Sequence, residues 1–367
     1  MRTLDEEFRA LGRNVIRKNR VDGSLRERPL RHPLSTLQAA VDELLVKRRS
    51  FSAPISISRH PFEDLIRSGE SYTAAVLAWL PGLLTPRDMQ ILSGIPTIIR
   101  LPDENPFTGV CHYSLGCDGF KNGCSGCPAV RGSAKPFVPA VLQAKKEMYS
   151  RLAHRTFVAP SDWIANKANS SSILHDEKIS VIRNPISSDF FHDGSHAQKW
   201  EQCTILFAAS QVFDPIKGFS QIAGKLNHLA EEGGLQVRVV GNPGRQKDKY
   251  PNIKFLGRLD PPSLSIEYQK AWATIVPSNS EASGNVVGES LASGTPALVR
   301  DVDGLGEMAK KLGGEYLFKK DEELFAKLKR LVVEGFDARR DQMVSIAKEQ
   351  RPDIVAKQYL RKLDELV

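Results

Sequence analysis

The sequence lacks any long apolar run, because no stretch approaches the roughly 20 consecutive apolar residues that span a bilayer. Its N-terminus, MRTLDEEFRALGRNVIRKNR, is charged throughout and lacks the apolar segment of a secretory signal peptide. Both absences argue against a membrane-spanning or secreted protein. We therefore expect a cytoplasmic protein.

Aromatic residues are also few, at 7% of the 367 residues, and they do not alternate with the basic N-terminal charge as a base-stacking surface requires. Residues 1–60 hold 13 Lys or Arg against seven Asp or Glu, within a net charge of +8. A solvated helical surface explains this excess, and so does peripheral contact with an anionic lipid surface at the inner face of the membrane or with a phosphorylated acceptor. We expect no nucleic-acid partner.

Short apolar runs alternate with helical patterns along most of the chain, which predicts strands alternating with helices. After residue 200 the predicted strands are TILFAAS, LQVRVVGN, IKFLGRL, WATIVPS and TPALVR. A less regular series between residues 72 and 185 contains AAVLAWL, IPTIIRL, TFVAP and ISVIRN. Strands that are separated by helices form parallel sheets covered on both faces, so the sequence predicts two α/β units.

The polar stretch NPISSDFFHDGSHAQKWEQ lies between the two series and is typical of a linker. A chain of this length suits two domains of about 150 to 200 residues. We therefore predict an N-terminal Rossmann-like domain over residues 1–185, a linker over 186–202, a C-terminal Rossmann-like domain over 203–350 and a final helix over 351–367.

The stretch SEASGNVVGESLASGTP, residues 280–296, follows a predicted strand and opens a helix. In a doubly wound sheet, ligands bind beyond the carboxyl ends of the strands, where the N-terminus of a helix attracts a diphosphate. Gly284 has no Cβ and lets the backbone approach such a ligand. Glu281 precedes the helix, whereas Glu289 lies one turn past Asn285 on the same face. The two carboxylates can therefore bracket one ligand and accept hydrogen bonds from its hydroxyls.

This stretch resembles the donor-binding signature of retaining, nucleotide-sugar-dependent glycosyltransferases of the GT-B fold, the large family-4 group. The resemblance covers roughly residues 72 to 365 and implies two Rossmann-like domains that face a cleft. It assigns the donor sugar to Glu281 and the ribose to Glu289. It also implies that Gly284, Asn285 and Val286 offer backbone groups to the sugar and phosphate.

Other segments carry the same resemblance. FDPIKGF is similar to the family's basic diphosphate clamp, with Lys217 as the cation and Gly218 opening the helix. IKFLGRLD resembles the loop that packs against the base, which adds Arg258 to the nucleotide site. RPDIVAKQYLRKLDEL resembles the helix that crosses back to brace the first domain. Lys217 and the helix N-terminus would stabilise the leaving diphosphate, so no metal is required for catalysis.

Two features depart from the family's pattern. Many relatives have Arg five residues before the clamp lysine, but Val212 stands there, and Arg258 or Arg183 is a candidate substitute. The family opens with a strand and a Gly-rich turn, whereas this chain opens on what reads as the following helix, LDEEFRALG. Either the sequence starts late, or the N-terminal domain lacks its first strand.

Four of the five cysteines crowd into 17 residues; they are Cys111, Cys117, Cys124 and Cys127. The last pair has the Cys-x-x-Cys spacing that lets two thiolates reach one metal. Three interpretations stay open: a structural zinc knuckle with His112 as a further candidate ligand, reduced thiols packed in a core, and a redox role.

The surrounding stretch, RLPDENPFTGVCHYSLGCDGFKNGCSGCPAV, resembles a segment in a subgroup of these enzymes from colanic-acid-like and other exopolysaccharide pathways. The resemblance places this loop near the acceptor. It implies that Asp103 either orients an acceptor hydroxyl or caps the loop.

The sequence thus predicts a retaining glycosyltransferase that moves a sugar from a nucleoside-diphosphate sugar to a glycan or lipid-linked glycan acceptor in bacterial-type polysaccharide synthesis. One alternative is a degenerate protein that binds a nucleotide sugar without turnover, and another is a GT-B nucleotide-sugar epimerase. Paired glutamates also serve glycosidases as acid and nucleophile, but the phosphate-binding helix disfavours that assignment.

Overall fold

A computed structural model of the chain describes residues 2–13, 15, 72–78, 92–192, 197–334 and 339–367. The chain divides into two compact units. The first comprises Phe8–Ile182 with Ala356–Val367, and the second comprises Arg183–Val355 with Arg2–Glu7. Most of the basic stretch over residues 1–60, and with it the prediction of a missing opening strand, falls outside the described residues.

The first unit contains a parallel sheet with the strand order β1-β2-β3-β4. Its strands are β1 (Ala75–Leu77), β2 (Thr97–Arg100), β3 (Arg155–Ala159) and β4 (Ile179–Val181). Its helices are α1 (Arg2–Ala10), of which only the end belongs to this unit, α2 (Phe137–Ser150) and α3 (Asp162–Asn169). Helix α3 begins where the hydroxyl of Ser161 accepts the backbone N–H of Ile164, an N-cap that the sequence SDWIAN predicts.

Most of the final helix, α10 (Pro352–Asp364), is grouped with the first unit. Its Tyr359 is fully buried, and the guanidinium of Arg100 at the end of β2 lies 5.9 Å from the centre of its ring. Burial raises the pKa of the Tyr359 hydroxyl. The packing joins the end of the chain to the edge of the sheet from which the cysteine loop leaves.

The second unit contains a parallel six-stranded sheet with the order β10-β9-β8-β5-β6-β7. Its strands are β5 (Thr204–Gln211), β6 (Gln236–Asn242), β7 (Ile253–Gly257), β8 (Ala273–Val276), β9 (Ala297–Arg300) and β10 (Leu317–Phe318). Its helices are α4 (Phe219–Glu231), α5 (Pro261–Lys270), α6 (Asn285–Ala292), α7 (Gly306–Lys310), α8 (Asp321–Glu334) and α9 (Arg340–Ala347).

Both faces of this sheet are buried, as β5 shows. Ile205 and Phe207 pack in one hydrophobic cluster with side chains of α4 and α8, whereas Leu206 and Ala208 pack in another with side chains of α5 and α6. Alternate residues of a strand point to opposite faces, so a strand covered on both sides must be apolar throughout. The continuous apolar run TILFAAS is this pattern.

The predicted alternation of strands and helices is confirmed, with boundaries that differ by a few residues. Helix α7 and strand β10 were not predicted, because five and two residues are too short to show a helical or alternating period. Within the described residues, no helix has the combined length and apolarity that crossing a membrane requires.

Candidate functional site

The stretch SEASGNVVGESLASGTP, residues 280–296, follows β8 at the carboxyl edge of the second sheet and contains α6. Gly284 immediately precedes α6, with a backbone φ of +63° and no side-chain cap on the helix. A Cβ at this position would lie 2.5 Å from Cδ1 of Leu305. The left-handed conformation therefore favours glycine, and a larger residue would force the Leu305 side chain to move. The uncapped N-terminus of α6 carries the partial positive charge that favours an anion.

Lys217 and Glu281 are brought together at this edge. Their Nζ and Oε2 atoms are 2.5 Å apart, and the side chains are 27% and 19% exposed. Lys217 follows β5 and Glu281 follows β8, and these two strands are neighbours in the sheet. The sequence prediction that both residues serve one ligand is therefore compatible with their positions.

The two loops are joined by backbone contacts. Lys217 ends a short helical turn, which begins where Asp214 accepts the N–H of Ile216. The carbonyl of Ile216 in turn accepts the N–H of Asn279 at 2.7 Å. Next to this turn, Gly218 has a φ of +71°, and a Cβ there would lie 2.0 Å from the carbonyl oxygen of Pro277. Close approach of the loops thus explains the glycine in FDPIKGF.

Glu289 lies one turn further along α6 and is partly exposed. Its Oε2 accepts a hydrogen bond of 3.0 Å from the hydroxyl of the buried Tyr268. Desolvation raises the pKa of Glu289, and the hydrogen bond from Tyr268 opposes that rise. The carboxylate is held in one orientation and keeps an oxygen to offer a ligand.

Several polar residues at this edge escaped the sequence analysis. Asn184 donates from Nδ2 to Ser283 Oγ at 3.0 Å and to Asn285 Oδ1 at 2.9 Å. Asp303, a non-glycine residue at a φ of +49°, accepts a hydrogen bond from Ser280. Each is an ordinary polar residue in a loop, so only the fold shows its relation to α6.

Other predicted residues lie apart from the Lys217–Glu281 pair. Arg258 is exposed in the loop after β7, and β5 and β6 separate β7 from β8. Strand β7 therefore lies three strand spacings, or roughly 14 Å, from β8. Val212 is fully buried in the core, and Arg183 pairs with Glu307 at 3.2 Å. Arg183 is thus already engaged in an ion pair. Val212 has no exposed atoms with which to contact a ligand.

Asp103 belongs to the first unit and lies just after β2. Its Oδ1 accepts the N–H of Asn105, and its Oδ2 lies 2.8 Å from Nδ1 of His112. Asp103 therefore caps the loop, which is one of the two roles predicted for it, and the other role, orienting an acceptor hydroxyl, stays a prediction. His112, a candidate metal ligand in the sequence, is engaged by this carboxylate.

The four clustered cysteines line one small cavity of about 20 Å³ in the first unit. Among the described residues, no group of three or more His, Cys, Asp or Glu side chains is placed to hold a metal ion as the side chains stand. The thiol of Cys111 interacts with the sulfur of Cys127, which lowers the pKa of Cys127 to about 6 and raises that of Cys111. Burial raises the pKa of Cys124.

A positive charge lies beside this loop. Nζ of Lys145 donates to the backbone carbonyls of Asn105, Thr108 and Gly109 at 2.6, 2.8 and 3.4 Å, and to the Asn105 side chain at 3.2 Å. Burial lowers the pKa of Lys145 to about 8. The ammonium group therefore gathers carbonyl oxygens that would otherwise point away from one another.

Comparisons with known proteins bear on the enzyme class and on the fold. Residues 202–334 match the family model described as Glycosyl transferases group 1, and this range includes Lys217, Glu281 and Glu289. The match bears out the predicted enzyme class, a glycosyltransferase. A comparison with curated proteins finds no match.

Solved structures show the same architecture. Sucrose-phosphate synthase from Thermosynechococcus elongatus is 13% identical, with a TM-score of 0.57 over 83% of this chain and 76% of that one. HepE from Anabaena, in complex with UDP, is 13% identical, with a TM-score of 0.56 over 83% and 82% of the chains. The trehalose-6-phosphate synthase OtsA is 10% identical, with a TM-score of 0.60 over 84% and 75%. These likenesses show the fold, which is GT-B as predicted.

Proposed function

We propose that the chain transfers a sugar from a nucleoside-diphosphate sugar to a hydroxyl acceptor, with retention of the anomeric configuration. The observation that carries the proposal is the meeting of Lys217, Glu281 and the uncapped N-terminus of α6 at one edge of the second sheet. A cation and a helix N-terminus suit a diphosphate, and a carboxylate suits sugar hydroxyls.

The chemistry follows from this arrangement. Breaking the bond between the anomeric carbon and the diphosphate oxygen puts negative charge on the leaving diphosphate. Lys217 and the N–H groups at the start of α6 stabilise that charge, which lowers the barrier to transfer. Glu281 accepts hydrogen bonds from the donor sugar, and Glu289 accepts them from the ribose. The residues thus meet the catalytic requirement without a metal ion.

Uridine is the first base to test. The structural neighbour HepE was solved with UDP and also with UDP and glucose. Arg258, in the loop after β7, is the proposed contact on the base side. We assign no particular sugar to the donor.

The acceptor we propose is a glycan or a lipid-linked glycan in an exopolysaccharide pathway of the colanic-acid type. The support is the resemblance of residues 100–130 to that subgroup. The excess of Lys and Arg over residues 1–60 supports peripheral contact with an anionic membrane surface.

The first experiment is a thermal-shift panel with UDP, GDP, ADP and their common sugar conjugates. A ligand present at a hundred times its dissociation constant stabilises the state that it binds by about 2.7 kcal/mol. We expect a shift with one nucleotide and its sugar conjugate. The responding conjugate is then incubated with candidate acceptors, and NMR of the product determines the anomeric configuration.

Three outcomes are informative. Transfer with retention supports the whole proposal. Transfer with inversion overturns the retaining mechanism alone. Nucleotide-sugar binding without transfer to any acceptor, together with a donor that is neither hydrolysed nor epimerised, favours a non-catalytic binding protein, an alternative that the buried Val212 in place of a clamp arginine keeps relevant.

A further inference from the structure

The cysteine loop of the first unit contains a cluster of sulfur atoms that the proposed transfer reaction does not use. Cys111, Cys117, Cys124 and Cys127 all line one cavity, and three of the four are buried. The cavity measures about 20 Å³. A space of this size holds roughly one water-sized sphere, so it suits a single ion rather than an organic ligand.

Backbone N–H groups point at the sulfur atoms of three of these cysteines. The N–H of Gly119 donates to Cys117 Sγ and that of Gly109 to Cys124 Sγ, both at 3.4 Å. The N–H groups of Ala129 and Val130 point at Cys127. Hydrogen bonds from the backbone to a sulfur atom hold that sulfur in a fixed position, as outer-shell hydrogen bonds do for metal ligands.

The backbone of the Cys124–Cys127 turn has an uncommon conformation at its first residue. Cys124 has a φ of +60°, in the left-handed region that residues other than glycine rarely occupy. A conformation of this kind persists only where its surroundings enforce it, and such residues concentrate at ligand clamps. Here it turns a Cys-x-x-Cys pair toward the cavity that Cys111 and Cys117 also line.

The other chemistry around the cavity agrees with an all-sulfur site. His112, the nearest alternative ligand in sequence, is not among the residues that line the cavity. The ammonium of Lys145 is close enough to Cys111 and Cys124 to interact with their charges. A divalent ion with four thiolates has a net charge of −2, which this buried cation partly offsets.

We propose that Cys111, Cys117, Cys124 and Cys127 bind one zinc ion as a structural centre with four thiolate ligands. Four soft sulfur ligands are the donor set of many structural zinc sites, and they favour zinc over the harder ions calcium and magnesium. Binding releases the four thiol protons to solvent, and no oxidant or reductant takes part. With ligand bonds of about 2.3 Å, the sulfur atoms lie about 3.8 Å apart.

The centre has a definite structural consequence. The four sulfur atoms line the cavity without being arranged for a metal, so zinc binding draws them toward a common point. This tightens the loop that leaves the carboxyl end of β2 and fixes Asp103 and His112, which the same loop carries. The proposal concerns the first unit alone and does not depend on the transfer reaction.

The test is the metal content of the full chain, purified under reducing conditions without chelators and measured by inductively coupled plasma mass spectrometry. We expect about one zinc per chain, released when a mercurial reagent titrates the thiols. Alkylation without prior reduction, followed by peptide mass spectrometry, reports the state of each cysteine in the same sample. Exchange of zinc for cobalt should give the visible absorption bands of tetrahedral cobalt thiolate.

Variants identify the ligands. Cys127→Ala and Cys117→Ala should each lower the zinc content at least tenfold, whereas Cys203→Ala, which alters the one cysteine outside the cluster, should retain it. Wild-type protein with less than a tenth of a zinc per chain overturns the proposal, whether its thiols are free or joined in disulfides. Since this measurement uses the wild-type chain, it stands even where a ligand variant fails to fold.

Discussion

Nζ of Lys217 lies 2.5 Å from Oε2 of Glu281, although the two residues are 64 positions apart in the sequence. The adjacency of β5 and β8 creates this pair, because each residue sits in the loop that leaves its strand. Both side chains are partly exposed. Each group compensates the charge of the other. The proposed function assigns the two groups to different parts of a nucleotide sugar, the diphosphate to Lys217 and the sugar to Glu281.

Replacement of Lys217 by Met should weaken binding of the nucleoside diphosphate. The variant loses one charge-assisted hydrogen bond to phosphate and leaves Glu281 as an unpaired negative charge beside it. We expect an affinity loss of about ten- to hundredfold, measured by isothermal titration calorimetry with the nucleotide identified in the thermal-shift panel. Lys329→Met, which alters an exposed lysine on α8, is the matched control and should bind normally. Equal affinity in both variants would remove Lys217 from the diphosphate site.

Replacement of Glu281 by Gln should abolish transfer while nucleotide affinity changes only a few-fold. The carboxylate is assigned to the sugar, so its loss is felt as bonds rearrange rather than when the nucleotide binds. A decrease of about a hundredfold or more in kcat is expected for the loss of one oriented charged group. Glu231→Gln alters a glutamate of α4 that is 66% exposed and should leave kcat unchanged. Near-normal turnover of E281Q would contradict the assignment.

Replacement of Gly284 by Ala should damage the donor site and the stability of the second unit together. The new Cβ meets Leu305 at 2.5 Å, and the φ of +63° disfavours alanine. We expect a loss of about 1–3 kcal/mol in the free energy of unfolding, with a further loss of nucleotide binding as the start of α6 shifts.

Gly224 provides the control for this substitution. It lies within α4, and nothing approaches within 4 Å of a Cβ built there. Gly224→Ala should therefore stabilise the protein by up to about 1 kcal/mol, because alanine is the better helix former. Chemical denaturation monitored by circular dichroism compares the two variants. Similar effects of both would show that the crowding at Gly284 is not decisive.

The sequence predicted those features of the second unit that depend on local pattern. The apolar run TILFAAS indicates a strand buried on both faces, and Gly284 before the apolar residues of α6 indicates a helix N-terminus. These signals are strong because each has one dominant physical cause: burial on both faces requires a strand to be apolar throughout, and a left-handed backbone conformation favours glycine. Residues 202–334, which carry them, also match the family model.

What the sequence did not predict are relations that only the fold creates. The hydroxyl of Tyr268 orients Glu289 from α5, a neighbouring helix, and the amide of Asn184 reaches Ser283 across 99 positions. The contact between Asp103 Oδ2 and His112 Nδ1 is a further relation that spacing alone did not predict. Such contacts depend on strand order and loop path, which hydrophobic periodicity does not encode.

Replacement of Glu289 by Gln should stabilise the protein at neutral pH and weaken nucleotide binding at the same time. Burial raises the pKa of Glu289 in the folded state. The free energy of unfolding therefore falls as the pH rises from the ordinary glutamate range through that raised pKa, because the carboxylate ionises less readily in the folded state than in the unfolded state. Glutamine avoids this cost and still accepts the hydrogen bond from Tyr268. The melting temperature of E289Q should therefore exceed that of the wild type at pH 7. The difference should vanish below about pH 4, where the glutamate is protonated in both the folded and the unfolded state.

A neutral amide accepts hydrogen bonds from a ribose diol less strongly than a carboxylate does, so the affinity of E289Q for the nucleotide should fall by about tenfold. A variant that is more stable but binds as tightly as the wild type would show that Glu289 has no part in the donor site. A variant with unchanged stability across the pH range would show that its carboxylate remains solvated.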